Sequence, residues 1–139
     1  MATVNFFAED LDFTPEHPRK SSAWLREIAK REKAILKEIN YIFCTDDYLV
    51  RLNIEFLAHK TLTDIITFDY SESRKKLQGD IFISLDRVRE NAIKFNKSFD
   101  NELHRVMVHG LLHLLGHKDK TTKDKAAMRK KEDQSLSLR

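Results

Sequence analysis

Helices interleaved with a few short strands predict an α+β layer architecture for this chain. Three observations carry that expectation. Residues 99–115 form a helix-length segment whose second half, Val106 to Leu115, is apolar nearly all round, which places it at the centre of a domain. Asp64 to Tyr70 and Gly79 to Ile83 are short β-branched and aromatic runs that read as neighbouring strands. Residues 21–36 set Trp24, Ile28 and Ile35 on one helical face.

Taken in order, Thr3 to Phe7 opens the chain as a strand, and the prolines at 15 and 18 mark a loop. The amphipathic helix follows, with Ser21 and Ser22 as its expected cap. Ile39 to Cys44 is the next strand, after which Thr45-Asp46-Asp47 caps a helix whose Leu49, Leu52 and Phe56 share a side. Beyond the strand at 64–70, Arg74 to Gln78 reads as a polar turn into Gly79. Val88, Ala92 and Phe95 recur with helical spacing, and Asn96-Lys97-Ser98 breaks that helix and caps the apolar one. Gly116 ends the apolar helix, and Thr121 to Ser135 forms a last, basic surface helix. With 139 residues, no internal repeat, two prolines and three glycines, the expectation is one domain over 1–139 with no linker.

Charge and cysteine usage narrow the function classes. A net charge of +3 is too small to argue for nucleic acid by itself. Its distribution says more: residues 1–16 carry four acids and no base, whereas Lys118 to Lys131 holds seven basic residues against Asp119 and Asp124. Further groups lie between Arg19 and Lys37 and at Arg74-Lys75-Lys76, and such clusters can track a phosphate backbone. Cys44 is alone, so no disulfide partner is available to it within the chain, and its apolar neighbours mark it as a buried small hydrophobe. There is neither a basic, apolar leader nor a run long enough to span a membrane, so the expectation is a soluble cytoplasmic protein with no membrane partner.

The chemistry concentrates at the end of the apolar helix. His109 and His113 lie four apart, so their imidazoles fall on one helical face and can share a metal ion. Two buried imidazoles on a leucine-rich helix are costly without a common partner. Gly116 lets the chain reverse three residues later, and Asp119, three further on, can fold back to the same face. With Gly116 left-handed, His117 is the next residue and packs back on the last turn toward Leu112, which makes Asp119 and not His117 the expected third ligand.

The string His109-Gly110-Leu111-Leu112-His113-Leu114-Leu115-Gly116-His117-Lys118-Asp119 resembles the signature of the YbeY family of rRNA maturation factors. Leu52-Asn53 through Thr63-Asp64-Ile65-Ile66-Thr67-Phe68 and Gly79-Asp80-Ile81-Phe82-Ile83-Ser84 are similar to two further family segments, in family order. The resemblance implies a metzincin-like α+β fold: a small sheet of short strands, a central buried metal-binding helix and flanking helices. It also implies one zinc ion (Zn2+) per subunit and endonuclease action on single-stranded rRNA, in maturing the 3′ end of 16S rRNA and in quality control of ribosomal subunits. Two departures stand out. The third ligand position, usually histidine in the family, holds Asp119 with His117 at a position more often tyrosine, and a family arginine aligns with Leu57.

Two histidines and an aspartate leave a zinc position for water, and hydrolysis of a phosphodiester follows. A peptidase of the His-Glu-x-x-His type is disfavoured because the residue after the first histidine is Gly110. His109 is then a catalytic residue, and Asp64 and His59, on or near the strand and loop that the resemblance sets beside the site, are candidate bases. The rival reading is a non-catalytic ribosome-assembly factor that binds rRNA or ribosomal protein and uses zinc for structure.

Overall fold

The computed structural model describes residues 3–57 and 63–139. Its strands are β1 (Thr3–Ala8), β2 (Ile35–Cys44), β3 (Ile65–Asp69) and β4 (Lys76–Ser84), and its helices are α1 (Pro18–Arg31), α2 (Asp46–Leu57), α3 (Leu85–Lys94), α4 (Phe99–Leu114) and α5 (Thr122–Leu136). The architecture is α+β. The sheet runs β1-β2-β4-β3, with β1, β2 and β4 parallel and β3 antiparallel against β4.

Alternation along the strands divides the sheet into two unequal faces. Ile39, Tyr41 and Phe43 of β2 and Leu77, Ile81 and Ile83 of β4 join Leu25 and Ile28 of α1 and Met107, Val108 and Leu111 of α4 in the main core. The opposite face is covered by α2, where Leu49 packs with Cys44 and Ile66. Burial and nearby carboxylates push the Cys44 thiol up to about 12, which keeps it a neutral packing group.

α4 is seated on the sheet by two contacts. The buried Tyr41 hydroxyl donates to the Met107 carbonyl at 2.9 Å. Gly110 lies so close to the sheet that a Cβ there would meet Ile81 Cγ2 at 2.9 Å and Ile65 Cδ1 at 3.0 Å. That approach turns Gly110 toward the strands. It also explains why a glutamate does not follow His109: the position has no room for one.

Three boundaries differ from those the sequence predicts, each for a local reason. α1 starts at Pro18, whose fixed φ suits the first helical position, with His17 as N-cap; Ser21 and Ser22 sit one turn inside and are buried. The same helix stops at Arg31 because Lys33 takes a left-handed φ of 61° and Ala34 N–H returns to the Ala29 carbonyl at 2.9 Å. Ile35 therefore begins β2 and is exposed. The expected turn at 74–78 is already strand from Lys76, since Lys76 and Leu77 pair with Ile35 and Leu36.

The last helix is not simply a surface element. Thr121 and Asp124 form a reciprocal capping box at its start, and Met128, Glu132, Ser135 and Leu136 make an inward stripe. Trp24 Nε1 donates to the Ser135 carbonyl at 2.8 Å and ties α5 to α1. No helix among the described residues is long and apolar enough to cross a membrane.

Replacing Gly110 by valine should overpack this seat and cost about 1–3 kcal/mol of stability. Chemical denaturation measures it, and an unchanged midpoint would show that α4 does not depend on the close approach.

Candidate metal centre

The reversal after α4 places the site. Gly116 has φ +101°, its N–H donates to the His113 carbonyl at 3.0 Å, and the His117 N–H donates to the Leu112 carbonyl at 3.0 Å. This is a Schellman ending, built on the one residue type that takes such a φ without strain. Arg74 also donates to the Leu114 carbonyl while its other nitrogen pairs with Asp69 at 2.9 Å, so the helix end is tied to the sheet edge.

Beyond that turn the chain comes back along the helix. Asp119 Oδ2 lies 3.2 Å from His109 Nε2 and 3.5 Å from His113 Nε2, and the two Nε2 atoms are 3.1 Å apart. One donor atom from each of His109, His113 and Asp119 falls within 4.8 Å of the others, so the group could hold a metal ion. His117 points elsewhere: its Nε2 is 2.7 Å from Glu32 Oε1, at the end of α1.

The orientation of His109 comes from a residue the sequence did not single out. His109 Nδ1 lies 2.7 Å from Glu132 Oε2, and the other carboxylate oxygen, Oε1, accepts from Arg105 Nη1 at 2.8 Å. Glu132 is buried, and Arg105 also reaches Asp133 at 2.6 Å. A carboxylate on Nδ1 calls for the proton there and leaves the Nε2 lone pair facing His113 and Asp119, the tautomer a ligand needs. In a helix read as basic and solvated, one glutamate gives no sign of this role. Only its spacing from Met128, four residues on the same face, hints that it turns inward.

Electrostatics at the cluster follow from burial and these neighbours. Burial pulls the His109 pKa down, but the hydrogen bond and charge of Glu132, with Asp119 and Asp64, more than offset it, and the group stands above an ordinary histidine. His113 is lowered, by burial first and then by the neighbouring His109. Asp64 lines the same cleft as His109, Asp119 and Glu132, with its carbonyl held by the Ser84 N–H at 3.0 Å. Burial raises its carboxyl pKa, against the lowering influence of His109. His59, the other candidate base, lies outside the described residues.

The sequence model of the family described as Endoribonuclease YbeY matches residues 6–138. The chain belongs to the YbeY family. It is 55% identical over 137 residues to the Endoribonuclease YbeY of Cytophaga hutchinsonii, covering 99% of this chain and 96% of that protein. With the Endoribonuclease YbeY of Christiangramia forsetii it shares 45% identity over 135 residues, or 97% of this chain and 93% of that one. The solution structure of TM1509 from Thermotoga maritima superposes with a TM-score of 0.68 at 27% identity, covering 98% of this chain and 88% of that one. The YbeY fold therefore carries the cluster on α4 and the turn that follows it.

Glu132→Gln tests the orienting contact. It should leave the fold intact and weaken metal binding by about 10-fold or more, read by competition with a chromophoric chelator. Equal affinity would reduce Glu132 to a partner for Arg105.

Proposed function

We propose that this chain is a zinc-dependent, single-strand-specific endoribonuclease of the cytoplasm that matures the 3′ end of 16S rRNA and acts in quality control of ribosomal subunits, with residues 1–139 as one catalytic domain. Its membership of an endoribonuclease family makes it a phosphodiester hydrolase with RNA as substrate. The observation that carries the metal assignment is the convergence of His109, His113 and Asp119 with Glu132 behind the first of them.

The donor set suits zinc. Two imidazole nitrogens and one carboxylate oxygen are ordinary zinc ligands, and three of them leave a position open. The surrounding cleft also presents the carboxylates of Asp64, Glu102 and Glu132, of which Glu132 is balanced by Arg105. When bound, zinc supplies a Lewis acid that lowers the pKa of a water and polarises a phosphoryl oxygen.

The chain's own residues do the rest. Glu132 holds the His109 ring in register and fixes its tautomer. Asp64, with its carboxyl pKa raised by burial, accepts a proton more readily than a surface carboxylate, and its place in the same cleft supports it as the general base. His59 remains a second candidate for proton transfer. The residue after His109 is turned against the sheet, so the glutamate base of a zinc peptidase has no counterpart on α4.

Two experiments follow. Zinc-loaded protein should cleave single-stranded rRNA fragments, His109→Ala should not, and Asp64→Asn should keep its metal while kcat falls by about 100- to 10,000-fold. Metal-loaded protein that cuts no RNA would favour a structural role for zinc in an assembly factor. Separately, Asp119→Ala should lose zinc while His117→Phe retains it, measured by elemental analysis; the reverse pattern would transfer the ligand role to His117.

A further inference from the structure

The cleft lined by His109 and Asp119 of the metal cluster has a volume of about 340 Å³ and extends over residues with no part in holding a metal. Phe95 at the end of α3, Glu102 on α4, and Lys125 and Arg129 on α5 line it together with His109 and Asp119. A volume of this order suits one small ligand or one unit of a polymer.

Phe95 is 48% exposed, and among the described residues no other aromatic ring stacks on it; the Lys94 ammonium lies over one face of the ring, 5.5 Å from its centroid. A half-exposed phenyl ring beside a reaction centre, with a flexible lysine over one face, is a surface for another flat group. Lys125 and Arg129 are four apart on α5, so both fall on one side of the helix. Both are exposed, and among the described residues neither makes an ion pair within 4 Å, whereas Arg105 in the same cleft is committed to Glu132 and Asp133. Two like charges one turn apart cost an isolated helix a little, and an anion between them reverses the sign. Glu102 is 5% exposed and has no ion pair among the described residues, which leaves its carboxylate to accept from a donor entering the cleft.

An aromatic face, a pair of cations and a hydrogen-bond acceptor in one cleft are what a nucleotide presents in complement: a base, a phosphate, and the N–H or O–H groups between them. We propose that the α3–α5 side of this cleft is a nucleotide subsite, in which Phe95 stacks a base next to the scissile bond and Lys125 and Arg129 hold the adjoining phosphate. The assignment rests on the endoribonuclease reading and deepens it. Because a base on Phe95 must leave its partner and its neighbours, the subsite accepts single strands and refuses a duplex. Phe95 is thereby a determinant of strand specificity, and the two cations position the backbone without reading sequence.

The test is equilibrium binding of zinc-loaded protein to a labelled short single-stranded RNA and to a perfectly paired duplex of the same length, by fluorescence anisotropy, with cleavage followed in parallel. Phe95→Ala should weaken single-strand binding by about 10-fold, leave duplex binding as it is, and raise KM more than it lowers kcat; Phe95→Tyr should restore the single-strand preference. Lys125→Gln with Arg129→Gln should weaken both ligands and reduce the salt slope for the single strand by about 0.7, the share of the one phosphate they hold. Melting curves confirm that these surface variants are folded. Unchanged single-strand affinity in Phe95→Ala, or a wild-type protein that binds no single strand, overturns the subsite. A protein that binds single strands through Phe95 yet cuts none supports the subsite and overturns the nuclease reading, so the two can fail separately.

Discussion

The contact between the buried Glu132 carboxylate and His109 is the one on which the site depends. An imidazole on an apolar helix has to find a polar partner, and here the partner also chooses which nitrogen faces the cleft. Arg105 satisfies the remaining oxygen of Glu132, so the carboxylate is neither unpaired nor free to turn. Everything that holds α5 against α4 and α1, from the Thr121 capping box to the Trp24 indole on Ser135, therefore acts on the orientation of His109.

The other half of the site is a matter of chain direction. Gly110 lets α4 approach the sheet, and Gly116 turns the chain so that Asp119 returns to the face occupied by His109 and His113. One glycine sets the depth of the helix and the other sets its exit. Between them they explain both what the site contains and what it lacks, since the position that would carry a peptidase glutamate is pressed onto Ile81 and Ile65.

Much of this was legible because it rests on local signals. The apolar run of α4, the Ser98 cap and the left-handed Gly116 are properties of a few adjacent residues, and the convergence of His109, His113 and Asp119 follows from them. What escaped depends on partners distant in the chain. α1 stops at Arg31 because Lys33, two residues on, takes a conformation usually given to glycine, and β4 starts in a polar stretch because β2 pairs with it. Glu132 turns inward only because Arg105 and His109 are waiting 27 and 23 residues earlier. Beyond its spacing from Met128, a glutamate in a basic helix carries no sign of such partners. The nucleotide-sized cleft likewise joins α3, α4 and α5, and no single segment announces it.

A metal centre on α4 requires that this cluster bind zinc as part of the native fold. The melting temperature of metal-stripped protein with and without zinc, beside His113→Ala, measures that directly. Saturating zinc should raise the wild-type value by on the order of 10 °C and leave the variant unmoved. A wild-type melting temperature indifferent to zinc, or an equal rise in the variant, would contradict a metal centre on this helix.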